Sequence, residues 1–174
     1  MKDFFKNGIL DKIAWYVILI LILFVFQTVF ASNLAIYNIK PIVILCAAIF
    51  CGLLEGGIAG GIFGAVLGLF CDITSGRAIG FYALALMLCG ITAGLVGSKF
   101  ASRNTGSAFL CYFIISLVYS AIVFLVSILA VTNFQNSLAI LKISLLETVY
   151  TLLYAIPLYF VMRYGYRRFS IETF

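Results

Sequence analysis

Histidine is absent from this 174-residue sequence, which also contains only two prolines, one tryptophan and 10% charged residues. Soluble domains carry about 25% charged residues, so the scarcity of charge argues against a soluble fold. Without histidine, the chain lacks a common ligand of catalytic zinc sites and the usual base of nucleophilic triads. We therefore expect no catalytic residue, no metal site and no cofactor.

Apolar residues make up 65% of the sequence, and the run Val17–Phe26 contains no polar residue. Transmembrane barrels alternate apolar and polar residues, so an unbroken run indicates helices. At about 20 apolar residues per crossing, these apolar residues suffice for five or six spans. We predict an all-α integral membrane protein, a compact bundle of six transmembrane helices in a single domain, residues 1–174. The predicted spans are approximately 13–31, 41–54, 58–73, 79–97, 108–131 and 143–162.

Basic residues in the connections predict the orientation of the chain. The net charge is +5, yet the 11 lysines and arginines are scattered, which does not favour nucleic-acid binding. Eight of them fall on the side of the membrane that holds the N-terminus, and three, Lys40, Arg77 and Lys142, fall on the opposite side. Lysine and arginine accumulate on the cytoplasmic side of membrane proteins. We therefore expect both termini in the cytoplasm, in agreement with an even number of spans.

Five cysteines lie within or at the edges of the apolar segments: Cys46, Cys51, Cys71, Cys89 and Cys111. Their odd number and the lack of a Cys-x-x-Cys motif argue against a disulfide framework and against a zinc site. We interpret them as small, reduced core residues.

Glycines recur at four-residue spacing through and beyond the third predicted span. The pattern consists of Gly56, Gly60, Gly64, Gly68, Asp72, Gly76 and Gly80. Small residues at this spacing allow the backbones of two membrane helices to approach closely. The glycine face serves either packing inside the bundle or docking of another protein's helix. If it serves docking, Gly64→Leu is expected to abolish copurification of the partner without unfolding the bundle.

Two residues mark the ends of predicted helices. Asp72 ends the third span, where its carboxylate faces the negative end of the helix dipole. We expect compensation from Arg77 or from a backbone turn that the carboxylate caps. Pro41 opens the second span, and the first turn of a helix is a position that suits proline.

Three further polar residues lie at or near membrane depth: Gln27, Glu55 and Glu147. Polar groups are costly in lipid and usually face the interior of a bundle. We expect Gln27 to donate a hydrogen bond between helices, Glu55 to be solvated in the turn before the third span, and Glu147 to reach the outer interface. Glu55 and Asp72 lie at opposite ends of the third span, about 25 Å apart by helix rise, too far for paired acid–base catalysis.

Residues 64–84 carry a recognisable motif, and the chain resembles the family of the bacterial rod shape-determining protein MreD. The family pattern is filled by Gly64, Gly68, Leu69, Asp72, Gly76 and Gly80. Gln27 and the pair Lys40-Pro41 also match the family, as do the length and the number of spans. One position departs from it, because many members have an acidic residue where this chain has Ile42.

The resemblance implies a non-catalytic subunit of the cell-wall elongation machinery in the bacterial inner membrane. It implies a fold similar to the substrate-binding subunits of energy-coupling-factor vitamin transporters. The implied partner is an MreC-like bitopic protein whose transmembrane helix docks on the bundle. Through it the complex would connect to a RodA-type glycosyltransferase, its transpeptidase and MreB.

Two other functions are compatible with a six-helix membrane bundle. A substrate-binding subunit of a vitamin transporter would need an outward pocket, with Asp72, Phe81, Tyr82 and Tyr150 as candidate lining residues. Such a pocket requires several converging polar groups, which the sequence hardly provides. A flippase or enzyme acting on lipid-linked precursors would need charged residues in a cavity, and intramembrane charge is scarce.

Overall fold

A computed structural model of the chain describes residues 2–30, 42–75, 80–100, 105–130 and 134–170. Over these ranges the chain is all-helical, as predicted, and forms six α-helices. They are α1 (Lys2–Val25), α2 (Val43–Glu55), α3 (Gly57–Ser75), α4 (Phe81–Phe100), α5 (Thr105–Ala130) and α6 (Phe134–Ser170). A π-helical segment, Phe26–Phe30, continues α1.

The helices differ from the predicted spans mainly at the two ends of the chain. Helix α1 begins at Lys2 and α6 covers 134–170, whereas the predicted spans were 13–31 and 143–162. Hydropathy locates the part of a helix that lies in lipid, but the helical backbone continues into polar sequence. The 37 residues of α6 are about 55 Å long, well beyond the hydrocarbon core of about 30 Å.

Three helices in the described part of the chain are long and apolar enough to cross a membrane. The qualifying segments are Asp11–Val29, Gly57–Thr74 and Thr105–Val123. The apolar segments of α2 and α4, Val43–Glu55 and Phe81–Gly97, are shorter. The composition and these helices indicate a membrane protein, while crossing by all six helices stays a prediction.

Helix α2 lies at the centre of the bundle. It packs against α3, α4, α5 and α6, and all residues from Val43 to Leu53 are buried. A helix that is apolar on every side is typical of such a buried position. Its 13 residues are about 20 Å long, so both of its ends need hydrogen-bond partners from the protein itself.

The connection between α2 and α3 is a single residue, Gly56. Its φ of +98° lies in the left-handed region, and its N–H donates to the carbonyl oxygen of Gly52 at 3.0 Å. Glycine adopts this conformation without steric cost and often ends helices in this way. The predicted tight turn at 55–57 is confirmed.

Aromatic rings fill the core between α2, α5 and α6. Phe50 is fully buried, and its ring centroid lies 5.2–5.9 Å from those of Phe109, Tyr112 and Tyr159. These contacts fix α5 and α6 against the central helix. The five cysteines are free thiols, four of them buried and Cys71 half-buried, which confirms their interpretation as core residues.

Candidate functional site

The glycine face of α3 packs on α4. A Cβ atom added to Gly64 would lie 2.5 Å from the carbonyl oxygen of Leu86, and one added to Gly68 would lie 2.6 Å from the backbone nitrogen of Ala83. At Gly60 it would meet the backbone nitrogen of Gly52 at 2.7 Å. Such backbone-to-backbone contact is possible only where side chains are missing. The structure therefore favours packing inside the bundle for these three glycines.

Helix α4 contributes matching glycines that sequence reasoning missed. Cβ atoms added to Gly90 and Gly94 would clash with the backbone of α3 at Gly60 and at Gly57. The sequence signal was present, because these two glycines also stand four residues apart in an apolar span. The structure argues against the expectation that Gly64→Leu leaves the bundle folded, because that side chain would press on the backbone of α4.

Beside this contact, one edge of α3 is open. There, α3 and α4 border a groove of about 540 Å³, here called the α3–α4 groove. Its lining residues are Gly57, Ile58, Gly61, Ile62, Ala65, Val66, Leu69, Met87, Ile91 and Leu95. Small residues recur every four positions at Gly57, Gly61 and Ala65, and Ile58 beside them is 84% exposed. The groove thus presents a floor of small residues between apolar walls.

Asp72 is a buried cap for the first turn of α4. Its side chain is 1% exposed and accepts three backbone hydrogen bonds, from the N–H groups of Gly80 at 2.9 Å, Tyr82 at 3.0 Å and Ala83 at 3.1 Å. The positive end of the α4 dipole offsets the unfavourable position at the end of α3. The predicted capping of a backbone turn is therefore present. Arg77 and Gly76 lie outside the described residues.

Gln27 and Thr151 cap the buried start of α2. The N–H of Val43 donates to Oε1 of Gln27 at 3.0 Å, and the N–H of Ile42 donates to Oγ1 of Thr151 at 3.0 Å. Gln27 was predicted to donate between helices, but in this bond it accepts. Pro41, predicted to open this helix, lies outside the described residues.

Thr151 links the same helix start to the backbone of Glu147, the third polar residue predicted at membrane depth. Its hydroxyl group donates to the backbone carbonyl of Glu147, whose side chain is half-buried. The structure therefore brings the side chain of Gln27 to the start of α2, whereas Glu147 is connected to it only through its backbone carbonyl and Thr151. In the same way it brings Asp72 and Gly80 to the start of α4, where Gly80 has a φ of +103°.

Glu55 holds α1 to the end of α2. Lys12 Nζ lies 2.6 Å from Oε2 of Glu55, and the hydroxyl group of Tyr16 donates to Oε1 at 2.8 Å. The Glu55 side chain is 9% exposed, so the prediction that it is solvated is wrong. Lys12 and Tyr16 lie one turn apart on α1, which lets both reach the same carboxylate.

Metal ligation has no support in the described residues, where no group of three or more His, Cys, Asp or Glu side chains lies close enough to hold an ion. A second groove, between α1 and α6, has a volume of about 290 Å³ and an apolar lining. Neither groove includes Asp72, Phe81, Tyr82 or Tyr150 in its lining. A vitamin pocket built on those residues is therefore not supported.

The family model described as rod shape-determining protein MreD matches residues 11–169 of the 174 residues. The chain belongs to the MreD family. No curated protein and no solved structure matches it. The similarity to substrate-binding subunits of energy-coupling-factor transporters thus stays a prediction. Membership of the MreD family makes the chain a rod-shape-determining membrane protein, and it gives no support to a role in vitamin transport.

The ion pair between Lys12 and Glu55 is expected to stabilise this MreD family member measurably. Lys12→Met and Glu55→Gln should show a coupling of about 1–2 kcal/mol in a double-mutant cycle, because Glu55 is almost fully desolvated. The readout is thermal unfolding of the purified protein in detergent. The control cycle pairs Glu55→Gln with Asp11→Asn, since Asp11 is exposed on the same helix. Additive effects in both cycles would show that the pair contributes nothing.

Proposed function

We propose that this chain is a non-catalytic subunit of the cell-wall elongation complex, and that its α3–α4 groove docks the transmembrane helix of an MreC-like bitopic protein. Through that partner it would support a RodA-type glycosyltransferase, its transpeptidase and MreB. Membership of the MreD family supports the role in rod shape. The small-residue floor of the groove is the observation that carries the docking assignment.

The dimensions of the groove suit a helix. From Gly57 to Leu69 it extends about 18 Å along α3, more than three helical turns. Without a hydrophobic driving force in lipid, helices associate by close packing, and small residues at four-residue spacing permit it. Gly57, Gly61 and Ala65 provide that spacing along the edge of the contact between α3 and α4, where Ile91 of α4 packs beside the two glycines.

We further propose six crossings of the bacterial inner membrane, in a single domain, with both termini in the cytoplasm. Contacts near one end of the bundle join Lys12 to Glu55 and Arg163 to Thr105. The capped starts of α2 and α4 lie toward the other end. Successive helices of alternating direction account for both sets of contacts, and the basic residues at the first end favour a cytoplasmic position.

Ala65→Leu is the variant that tests the docking assignment. The new side chain would occupy the groove, and position 65 already carries a Cβ, so the bundle itself is disturbed little. We expect recovery of the MreC-like partner from the same organism to fall at least about tenfold, which corresponds to about 1.4 kcal/mol. Affinity purification in mild detergent with quantitative mass spectrometry measures this.

The matched control is Ala121→Leu, the same substitution at an exposed position of α5. It should leave recovery of the partner unchanged, and both variants should unfold at the temperature of the native chain. Unchanged recovery with Ala65→Leu would overturn the assignment of the groove. Equal loss with both variants would show that the effect is not specific to this surface.

A further inference from the structure

The second groove lies between α1 and α6 and is here called the α1–α6 groove. Its lining residues are Trp15, Ile18, Leu19, Ile22, Leu23, Phe26, Val43, Tyr154, Pro157, Leu158 and Val161. Helix α1 is held at two levels, by Glu55 at Lys12 and Tyr16 and, just beyond its end, by the hydrogen bond from Val43 to Gln27. Between these two attachments α1 and α6 border the groove, which has a volume of about 290 Å³.

The length and the lining of the α1–α6 groove fit a hydrocarbon chain. From Trp15 to Phe26 it extends about 16 Å, half the thickness of the hydrocarbon core and therefore one leaflet. The groove offers about 290 Å³, and its lining is apolar, as an acyl chain requires.

A positive charge stands at one mouth of the groove. On α6, Pro157, Val161 and Arg168 fall on one helix face by their spacing, and Arg168 is exposed beyond the last apolar lining residue. Trp15 marks the same mouth, because it packs where Gly165 lacks a side chain. Tryptophan is typical of the level of lipid headgroups, where arginine binds phosphate.

We infer that the α1–α6 groove binds one acyl chain of an anionic phospholipid, whose phosphate group lies at Arg168. The lipid comes from the leaflet that faces this end of the bundle. It fills the space between α1 and α6 from the contact of Trp15 with Gly165 to the contact of Phe26 with Tyr154. This site is separate from the α3–α4 groove and does not depend on the docking of a partner there.

The test is titration of the purified full-length chain with phosphatidylglycerol, followed by native mass spectrometry. Ile18→Trp places a bulky ring in the groove and should weaken binding by at least about tenfold. Val17→Trp is its matched control, because Val17 is an exposed neighbour outside the lining, and it should bind like the native chain. Arg168→Gln should weaken binding by about fivefold, the effect of one basic residue near a lipid surface. Arg167→Gln, off the groove face, should have a smaller effect.

Phosphatidylcholine serves as the comparison lipid and should bind more weakly than phosphatidylglycerol, by about the same factor that Arg168→Gln removes. Equal binding by Ile18→Trp and Val17→Trp would overturn the groove as the site. If the native chain forms a dimer that only Ile18→Trp dissociates, a second copy of the chain occupies the groove, and the lipid assignment is overturned as well. Equal affinity for the two lipids would overturn the assignment of the headgroup. Ile22→Trp provides a second blocking variant if Ile18→Trp does not fold.

Discussion

Asp72→Ala is expected to lower the free energy of unfolding by about 3–5 kcal/mol and the unfolding temperature by about 10 °C. Three backbone N–H groups at the start of α4 donate to this carboxylate, which is 1% exposed. Water cannot replace the lost acceptor at a buried position, so each donor keeps its desolvation cost. The substitution also removes the negative charge that faces the positive end of the α4 dipole.

Thermal unfolding of the purified variant in detergent, followed by tryptophan fluorescence or light scattering, measures the effect. Asp72→Asn should be intermediate, because one amide oxygen still accepts while the amide NH₂ group faces donors. Asp11→Ala is the matched control at an exposed aspartate and should change the unfolding temperature little. If Asp72→Ala unfolds at the native temperature, the carboxylate does not stabilise this turn and its place in the family motif needs another explanation.

The helices were predictable from the sequence because lipid allows few solutions. A chain that crosses the hydrocarbon core must satisfy its backbone internally, so long apolar runs such as Val17–Phe26 indicate helices directly. The one-residue turn at Gly56 was also visible, since glycine between two apolar segments marks a reversal. Where α6 ends was not visible, because hydropathy carries no signal for a helix outside the membrane.

The partners of the polar residues could not be predicted, because they are distant in sequence. Ile42 and Thr151 are 109 residues apart, and Lys12 and Glu55 are 43 apart. The predictions for Gln27 and Glu55 were based on the cost of a polar group in lipid. The sequence does not show which helices are neighbours, so the partners of these two residues could not be named. Glu55 appeared solvated because it stands in a turn, whereas α1 covers that turn.

The glycine pattern was informative about close packing but not about the packing partner. Four-residue spacing alone is compatible with an internal helix and with a helix of another protein. Gly90 and Gly94 of α4 resolve this, because they meet the same face of α3 from within the chain. The α3–α4 groove lies at the edge of this contact and is lined by Gly57, Gly61 and Ala65 together with the exposed Ile58 and Ile62, and it is this groove which we assign to docking.

Gly64→Ala is expected to destabilise the isolated chain by about 1–3 kcal/mol, and Gly64→Leu by more. A Cβ atom at this position would lie 2.5 Å from the carbonyl oxygen of Leu86 and 2.8 Å from its carbonyl carbon. Both atoms belong to the backbone of α4, so no side-chain rotation relieves the contact and the two helices must separate. Gly106→Leu is the matched control, since nothing lies within 4 Å of its added Cβ.

The two variants are expected to change stability in opposite directions. Glycine inside a helix costs about 1 kcal/mol relative to better helix formers, so Gly106→Leu should leave stability unchanged or raise it slightly, whereas Gly64→Leu should lower it. Thermal unfolding of the chain purified without any partner measures both. If Gly64→Leu unfolds like the native chain but loses the MreC-like partner, its glycine face serves docking rather than the contact with α4. Loss of stability without a partner present would instead show that Gly64 is needed for the contact with α4, and that a docking helix must use the α3–α4 groove beside that contact.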